Sequence, residues 1–430
     1  EKFNQMKAVT ITAGTFEAGD EKKSVTLTSL DMVTTAGAMG DVYGALQTLP
    51  GTTTNPESGK LFVKGGSSEE SQTYIDGTLV HVPYNSSPPL TGTRGRFNPF
   101  MFKGTVFSTG GYSAEYGQAL SSVLQLKTND MPTQDELNIS LLTVGAELAG
   151  TKKWNSGAVT ATLSYTNLKP YMEIAPQNYD WNHPPEYLVT DVSVRQKTGK
   201  TGMLKLYATQ SFSKMSLNRA NLNNDGQLTA YDLRNNNLYI NGSWQTMAGE
   251  KWFYRTGLSV TENRDRVQYG VADFRETLRG LHYKNVLTHE ITDKIKLRMG
   301  ADIFAREYRS QFTENTDNFD NKYDENLLAT FAEAEVYLSN RFVARAGGRL
   351  EYSDYLEKTT VSPRISTAYK FDDHSQLSLG YGWFYQNPLD EYLLYTRNVK
   401  PERADHYILT FQSKKNKRIL RSELYYKDYK

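Results

Sequence analysis

One segment of the sequence carries oxygen ligands at a spacing that suits a calcium ion. It runs from residue 221 to residue 232 and has Gly226 at its sixth position, as do the loops that wrap Ca²⁺ in EF-hand proteins. The candidate ligands are Asn221, Asn223, Asp225, Gln227 (through its backbone carbonyl) and Asp232. Because only two of them are carboxylates, we expect weak binding. The alternative is an Asn- and Gly-rich turn that holds no ion.

A second group of side chains suits recognition of an organic ligand. Tyr84, Arg94, Arg96 and Phe97 lie in the Gly- and Pro-rich segment 81–98, and Trp181 lies in a later loop. Aromatic rings stack on flat groups, and a guanidinium donates several hydrogen bonds. We predict ligand contact at these residues. The alternative is that they only pack their loops against the rest of the fold.

Composition and motif searches exclude several classes of chemistry. The 430 residues contain no Cys, which rules out disulfides, thiolate zinc sites and Cys nucleophiles. The six His residues show no metal-binding spacing, and no nucleophile-elbow, zinc-protease or Walker motif is present. We therefore assign no catalytic residue, require no cofactor and predict that the protein is not an enzyme. With 49 basic and 48 acidic residues, the chain does not indicate a nucleic-acid partner.

The elements that must position these residues are mainly β-strands. Aromatic residues make up 12% of the chain, and 29 of them are Tyr, which is typical of transmembrane β-barrels. In segments 295–303, 342–352 and 377–385, apolar residues alternate with charged, polar or small ones. This period of two predicts strands with one face toward lipid and the other toward an aqueous lumen. A large soluble antiparallel sheet is the alternative.

The spacing of turns also favours a membrane barrel. Short turns, such as those at 198–200 and 339–341, alternate with long polar segments that we interpret as loops. The predicted loops are 169–186, 218–235, 268–276, 314–325 and 388–403. Bacterial barrels have short periplasmic turns and longer external loops. Counting hairpin arms from residue 137 onward predicts about 14 strands, the first of them spanning 137–149.

Residues 1–131 have a different pattern, which predicts a small mixed unit. Segment 39–49 has helical spacing, with Asp41 as its N-cap and Pro50 and Gly51 at its end. The Asp76-Gly77 dipeptide predicts a tight β-hairpin.

Four motifs of this unit resemble, in the same order, the plug domain of TonB-dependent outer-membrane receptors. They are ALQTLPG at 45–51, LFVKGG at 61–66, YIDG at 74–77 and GYSAEYGQALSSVL at 111–124. The last motif is most similar to receptors of Bacteroidetes-type bacteria. The chain departs from the family at Lys64, where Arg is usual, and at Ser122, where Gly is usual.

The resemblance implies the fold: an antiparallel transmembrane β-barrel of about 22 strands enclosing an N-terminal plug. We therefore expect an all-β protein with a small α+β plug at 1–131 and the N-terminal portion of the barrel at 132–430. Since about 14 strands are predicted, we expect a truncated chain, with about eight strands beyond it. Inward-facing arginines, among them Arg255, Arg298 and Arg349, are expected to pair with plug carboxylates such as Glu115 or Asp76.

The resemblance also implies a function. The protein would import a scarce ligand across the outer membrane, using energy that a TonB-type protein of the inner membrane delivers through a segment absent from this chain. Siderophores, cobalamin, heme, glycans and peptides remain open as ligands. Further expected partners are outer-membrane lipid and a lipoprotein or another outer-membrane protein. The alternative is a receptor-like barrel that serves as a structural or assembly component of an outer-membrane complex.

Overall fold

Two β-sheets of unequal size organise the part of the chain that the structure describes. The computed structural model describes residues 25–430 apart from 39, 56, 176–177, 221–226 and 416–417. Within these residues, five strands form a small sheet and 15 antiparallel strands form a large one. The strands of the first part of the chain are β1 (Val25–Leu27), β2 (Thr52–Thr54), β3 (Leu61–Val63), β4 (Ser71–Ile75), β5 (Thr78–Val80), β6 (Phe102–Ser108) and β7 (Ser122–Thr128).

The small sheet belongs to what we term the N-terminal unit, residues 25–131. Its strand order is β1-β6-β7-β4-β5, with β4 and β7 parallel and the other neighbours antiparallel. Strands β2 and β3 pair separately. The predicted hairpin joins β4 and β5, and both turn residues, Asp76 and Gly77, have positive φ (47° and 95°). A type I′ turn requires this conformation at both positions, which is why the Asp-Gly pair was informative.

Short helices complete the N-terminal unit and decorate the large sheet. Helix α1 (Ser29–Thr34) begins with a capping box between Thr28 and Asp31. Helix α2 (Val42–Leu46) has the predicted Asp41 N-cap, whose side chain accepts a hydrogen bond from the Tyr43 N–H. Helices α3 (Lys169–Ile174) and α4 (Asp390–Leu393) lie in connections of the large sheet. None of the helices in the described residues is long and apolar enough to cross a membrane.

The large sheet consists of strands that follow one another in sequence order. They are β8 (Glu136–Leu142), β9 (Gly145–Lys153), β10 (Gly157–Asn167), β11 (Asp180–Thr198), β12 (Gly202–Ala220), β13 (Leu228–Ala248), β14 (Trp252–Tyr269), β15 (Ala272–Thr292), β16 (Ile295–Glu314), β17 (Asp317–Ser339), β18 (Phe342–Ser353), β19 (Lys358–Lys370), β20 (Ser375–Gln386), β21 (Glu402–Lys415) and β22 (Arg418–Tyr429). Each strand pairs with its neighbours in the chain, and β8 and β22 are the edges. Such an up-and-down sheet needs only local connections.

The predicted alternation of apolar and polar faces is confirmed. On β18, Arg345, Arg349 and Glu351 are buried on one face, whereas Leu350 and Tyr352 are 45% and 43% exposed on the other. Strands β16 and β20 show the same pattern. The buried polar face contacts the N-terminal unit, and the apolar face points outward, as a lipid-facing surface requires.

The strand count differs from the expected one. The segment 137–149, predicted as one strand, folds as β8 and β9, with Leu142 paired to Gly145 across a two-residue turn. The turn residues, Thr143 and Val144, are common in strands. The sequence pattern therefore did not reveal the break.

Three of the predicted long loops are largely strand. Tyr269 pairs with Ala272 and Glu314 pairs with Asp317, so segments 268–276 and 314–325 are the tips of long hairpins with two-residue turns. Segment 218–235 likewise extends β12 to Ala220 and starts β13 at Leu228. The outward face of these arms carries many charged residues, among them Arg234, Arg275 and Asp320. The apolar alternation that identifies a membrane strand is therefore weakened there.

The apolar core lies mostly inside the N-terminal unit. Met32, Leu46, Leu61, Phe102 and Leu126 are fully buried there. The same cluster reaches two inward-facing tyrosines of the large sheet, Tyr207 and Tyr239. Packing thus places the unit against the inner face of the sheet. A second apolar cluster joins side chains of the unit, among them Tyr112, to Phe304 and Phe384 of the sheet, and ion pairs and hydrogen bonds lie beside it.

Candidate functional site

A cavity of about 630 Å³ lies between the N-terminal unit and the end of the large sheet that carries the long hairpins. Its floor is the segment 81–91, which includes His81 and Tyr84. Its walls come from the inward faces of strands β13 to β17 and from the connection after β20. A volume of this size suits a small organic ligand.

Carboxylates dominate the charge of this cavity. Its lining contains six of them, Glu57, Glu69, Asp265, Glu276, Glu325 and Asp390, against two cations, Lys60 and Arg306. Arg306 is held between Glu325 and Asp390, with an N–O distance of 2.8 Å to each, and Lys60 pairs with Glu69 at 3.0 Å. Both cations thus already have carboxylate partners, and within the described residues neither Asp265 nor Glu276 of the wall forms an ion pair.

The Asp265 carboxylate is positioned by amides rather than by a cation. It accepts hydrogen bonds from Asn235 and Asn263, each at 2.8 Å. These donors fix the orientation of the carboxylate. Arg96 donates to the oxygens of the same two amides at 2.9 and 3.3 Å, so its charge lies behind the carboxylate and offsets part of it.

A second cluster lies below the cavity, where the N-terminal unit meets the sheet. We call it the Glu115 seat: Glu115 with the surrounding sheet residues Arg255, Lys284, Arg298, Asp302 and Arg349. The Glu115 carboxylate is ion-paired with Arg255 and lies 3.7 Å from both Lys284 and Arg298. Its backbone carbonyl accepts from Lys284 (2.9 Å) and Arg349 (3.2 Å). One residue of the unit is therefore bound by four strands of the sheet.

A carboxylate of the sheet, Asp302, balances part of the positive charge of the Glu115 seat. Asp302 of β16 accepts from Arg349 at 2.7 Å and lies 3.3 Å from Lys284. Burial raises the pKa of the Glu115 carboxyl, but Arg255, Lys284 and Arg298 outweigh that effect and lower it to about 2. Glu115 is therefore ionised at neutral pH, and the seat is a compensated buried network rather than a set of isolated charges.

The motif around Glu115 is held by further polar contacts. Arg364 donates to the carbonyl oxygens of Tyr112 (3.3 Å), Ser113 and Tyr116 (2.8 Å). Glu333 accepts from the Ser113 hydroxyl at 2.7 Å and from the Ala114 N–H at 3.1 Å. These bonds attach residues 112–116 to β17 and β19, beside apolar contacts such as that of the Tyr112 ring with Phe384, whose centroids lie 4.6 Å apart.

Gly117 explains why the motif needs a glycine at that point. A Cβ there would lie 2.3 Å from Glu351 Oε1 and 2.4 Å from Arg349 Nε. The backbone can approach these buried side chains only because glycine has no side chain.

Comparison with known proteins now identifies the family. A family model described as TonB-dependent receptor-like β-barrel matches residues 84–430. The chain belongs to the TonB-dependent receptors. Receptors of this family lie in the outer membrane, interact with TonB and transport ligands, so the predicted family, barrel fold, location and transport function are confirmed.

Solved structures show the same fold. A mutant ferric enterobactin receptor of Pseudomonas aeruginosa superposes with a TM-score of 0.74 at 13% identity, covering 97% of this chain and 73% of that one. The ferric yersiniabactin uptake receptor of Yersinia pestis gives 0.72 at 11% identity, covering 95% and 72%. An outer-membrane transporter of Escherichia coli gives 0.71 at 11% identity, covering 96% and 70%. No curated protein matches this chain.

The predicted ligand-contact residues of this receptor lie at different places, and only some of them are near the cavity. Tyr84 lines the cavity, where its ring packs 4.4 Å from that of Tyr43. Arg96 is buried and donates to Ser211 (3.1 Å) and Asn235 (2.9 Å) of the sheet. Arg96 therefore anchors its loop to the inner face of the sheet.

The other three predicted residues lie outside the cavity lining. Phe97 is buried against Phe102 and Tyr239, with ring centroids 6.1 and 6.2 Å apart. Arg94 is exposed, and Trp181 lies in β11 beside Tyr179, at 6.0 Å. Ligand contact thus stays a prediction that the cavity supports for Tyr84.

Most of the predicted calcium ligands are residues that the structure does not describe. Asn221, Asn223 and Asp225 lie outside the described residues. Gln227 is exposed just before β13, and Asp232 lies within that strand, paired to Ser216 and Gln268. Elsewhere in the described chain no three His, Asp or Glu side chains form a metal-binding group. The calcium site stays a prediction.

Sequence reasoning found part of the Glu115 seat. It named Glu115 and the inward-facing Arg255, Arg298 and Arg349 as possible ion-pair partners. Arg255 and Arg298 pair with the Glu115 carboxylate as expected. Arg349 instead donates to the Glu115 backbone carbonyl and pairs with Asp302 and Glu351 of the sheet. It also named Asp76, which instead accepts from the Thr128 N–H at 3.0 Å within the N-terminal unit.

The buried Lys284, Asp302 and Glu333 were missed. Alternation placed Asp302 on the inward face of its strand, but alternation along one strand does not specify the partners that other strands supply.

Proposed function

We propose that the N-terminal unit of this receptor is the plug of an active importer, and that the cavity above it receives the ligand. The unit packs on the inner face of the sheet, where it blocks a lumen that would otherwise leak solutes. Ligand entering from the long-hairpin end meets Tyr84 and the carboxylates of the cavity. Force from the TonB-type partner would then move the unit and open a path beneath the ligand.

The polar contacts between unit and sheet, which lie beside an apolar cluster, carry this proposal. Glu115, Ser113 and the backbone carbonyls of 112–116 are held by hydrogen bonds and ion pairs. Water replaces such partners when the surfaces separate, so each broken contact costs little net free energy. A purely apolar interface of the same size would lose its whole burial energy on separation.

The charge of the cavity supports a class of ligand. Asp265 and Glu276 favour a neutral, hydroxyl-rich or cationic ligand over one with several negative charges. Transport of this kind requires binding and release only, so we propose no enzymatic reaction. A lipoprotein or another outer-membrane protein as partner, and an origin in Bacteroidetes-type bacteria, stay predictions from the sequence.

A reversible lock between the two parts tests the plug proposal. Because the chain has no Cys, the double variant Thr78→Cys, Gly257→Cys introduces a single candidate crosslink between unit and sheet, where a Cβ at residue 257 would lie 2.7 Å from the Thr78 Cγ2 atom. A deletion strain carrying the full-length gene is grown on iron chelates, cobalamin, heme, glycans and peptides. We expect growth on one ligand to require the proton-motive force, to stop when the lock forms and to return with reductant.

The single-Cys variants are the controls and are expected to respond to neither oxidant nor reductant. Growth unaffected by a formed crosslink would contradict a moving plug. If in addition no ligand shows a defect and the protein co-purifies stoichiometrically with other outer-membrane proteins, an assembly role replaces transport.

A further inference from the structure

Four cations lie side by side on the outward face of the long hairpins. Lys214 of β12 pairs with Arg234 of β13, Arg234 with Arg266 of β14, and Arg266 with Arg275 of β15. Neighbouring strands lie about 4.8 Å apart, so the row is about 14 Å long. Like charges directly opposite each other on a sheet are destabilising. A row of four therefore needs negative charge from somewhere.

The receptor itself supplies only part of that charge. Asp273 pairs with Arg266 at 2.9 Å and with Arg275 at 2.8 Å, and Glu186 pairs with Lys214 at 3.0 Å. Within the described residues Arg234, in the middle of the row, has neither a hydrogen bond to its side chain nor an ion pair. Its guanidinium is flanked by cations on both sides.

These side chains line a groove of about 710 Å³ on the outer wall of the sheet. A fifth cation, Arg264, lies in the next outward-facing row, opposite Asn236 and Thr277. Its guanidinium forms an ion pair with Glu262 at 2.7 Å. The same row carries Leu188 and Phe212, which are 40% and 47% exposed. The groove thus joins a cationic patch to apolar surface.

The position of the groove relates it to the membrane. Three rows beyond the four cations along the same strands, past a row that still holds Glu262 and Arg279, the outward face becomes wholly apolar. There Ala208, Ile240, Val260 and Leu281 are paired in line. The long hairpins mark the external end of a bacterial barrel. The cations therefore stand just outside the hydrocarbon layer, at the level of the lipid headgroups of the outer leaflet.

We propose that this groove binds the phosphate of a phosphorylated lipid of the outer leaflet. Arg234 has the free guanidinium, and the planar fork of Arg matches phosphate oxygens in a bidentate manner. Arg264 and Lys214 lie at the rim, each with a carboxylate partner of its own, while Phe212 and Leu188 contact the upper part of the acyl chains. The bound phosphate relieves the repulsion within the row, so the site stabilises the receptor only where such a lipid is present.

Calorimetric titration and thermal unfolding of the full chain in detergent micelles test the proposal. Short-chain phosphatidic acid is the probe, phosphatidylcholine is the lipid without a free phosphate monoester, and inorganic phosphate is the soluble anion. The variant is Arg234→Gln, and the matched control is Lys200→Gln in the short turn at the opposite end of β12. We expect Arg234→Gln to weaken phosphatidic acid binding about fivefold and Lys200→Gln to leave it unchanged.

The unfolding temperature is a second measurement. The difference between parent and variant is expected to change sign when phosphatidic acid is added. In micelles without phosphatidic acid, Arg234→Gln is expected to unfold at the same or a higher temperature than the parent, because one repulsive charge is gone. With phosphatidic acid the parent is expected to gain more than the variant. Equal gains in both proteins, or an equal gain from inorganic phosphate alone, would overturn the lipid site.

Discussion

Glu115 is the side chain whose removal tests the seat most directly. We expect Glu115→Gln to destabilise the folded receptor by about 3 kcal/mol, because Lys284 would keep a buried charge with less compensation. Arg255 and Arg298 are partly exposed and can turn toward water, which limits the loss. Chemical unfolding in detergent measures the effect, with Glu250→Gln in an exposed turn as the control. Equal stability of the two variants would show that the seat does not hold the N-terminal unit.

At the residue scale, acidification is expected to destabilise the folded receptor through His81 and Glu115. Burial, reinforced by Arg306 and His282, lowers the pKa of His81 to about 3, and the surrounding cations overcome burial to lower the pKa of Glu115 to about 2. Unfolded His and Glu titrate near about 6.5 and 4.3. Both native pKa values lie below these, so the unfolded chain binds more protons as the pH falls.

The resulting pH dependence has a definite window. The contribution of His81 is complete above about pH 6.5 and is lost as the pH falls toward 3, and that of Glu115 is lost between about pH 4.3 and 2. Unfolding midpoints measured from pH 7 to 3 are expected to fall more steeply for the parent than for His81→Gln. Parallel curves would contradict a buried neutral His81.

At the scale of elements, the outward face of each strand sets where lipid begins. Ile365 of β19 is 50% exposed and lies beside Ala346 and Tyr381 of the neighbouring strands. We expect Ile365→Arg to destabilise the receptor in bilayers by about 2–4 kcal/mol, since a charge at this depth faces hydrocarbon. Thr359→Arg lies on the same face six residues away, near the external end, and should cost about 1 kcal/mol or less. Similar costs for both would place Ile365 outside the membrane.

The hairpin arms show how element type was misjudged and why. Segments such as 268–276 contain Asp273, Arg275 and Glu276, which read as loop residues in isolation. In the structure, Asp273 bridges Arg266 and Arg275 across the β14–β15 hairpin. Cross-strand ion pairs and the backbone ladder maintain the strands beyond the membrane, where apolar burial cannot.

At the scale of the whole molecule, the cavity combines residues from the N-terminal unit with residues from several strands. We expect the double variant Asp265→Asn, Glu276→Gln to weaken uptake of a cationic ligand by about tenfold and to favour anionic ligands, because two carboxylates are removed from its wall. Competition between ligands of different charge in whole cells measures the shift. The control is Glu290→Gln, an exposed residue at the other end of β15. Unchanged preference would mean that the ligand binds elsewhere.

The sequence by itself determined the class of fold and the family. Alternation with a period of two depends only on neighbours along one strand, so it predicted which residues of β16, β18 and β20 face inward. The plug-like motifs are also local, and their Asp76-Gly77 turn has the expected conformation. Glu115 and its candidate arginines could therefore be named before their contacts were known.

Only the tertiary structure decided which residues meet. The Glu115 seat draws on β14, β15, β16 and β18, and the cationic row depends on the register of four consecutive strands. Register is set by hydrogen-bonded pairing and by turn length. The two-residue turn at Thr143 and Val144 shows that a sequence can contain a turn without turn-forming residues. The carboxylate wall, the seat and the outer groove arise from side chains that are distant in sequence. They become adjacent only when the sheet forms around the N-terminal unit.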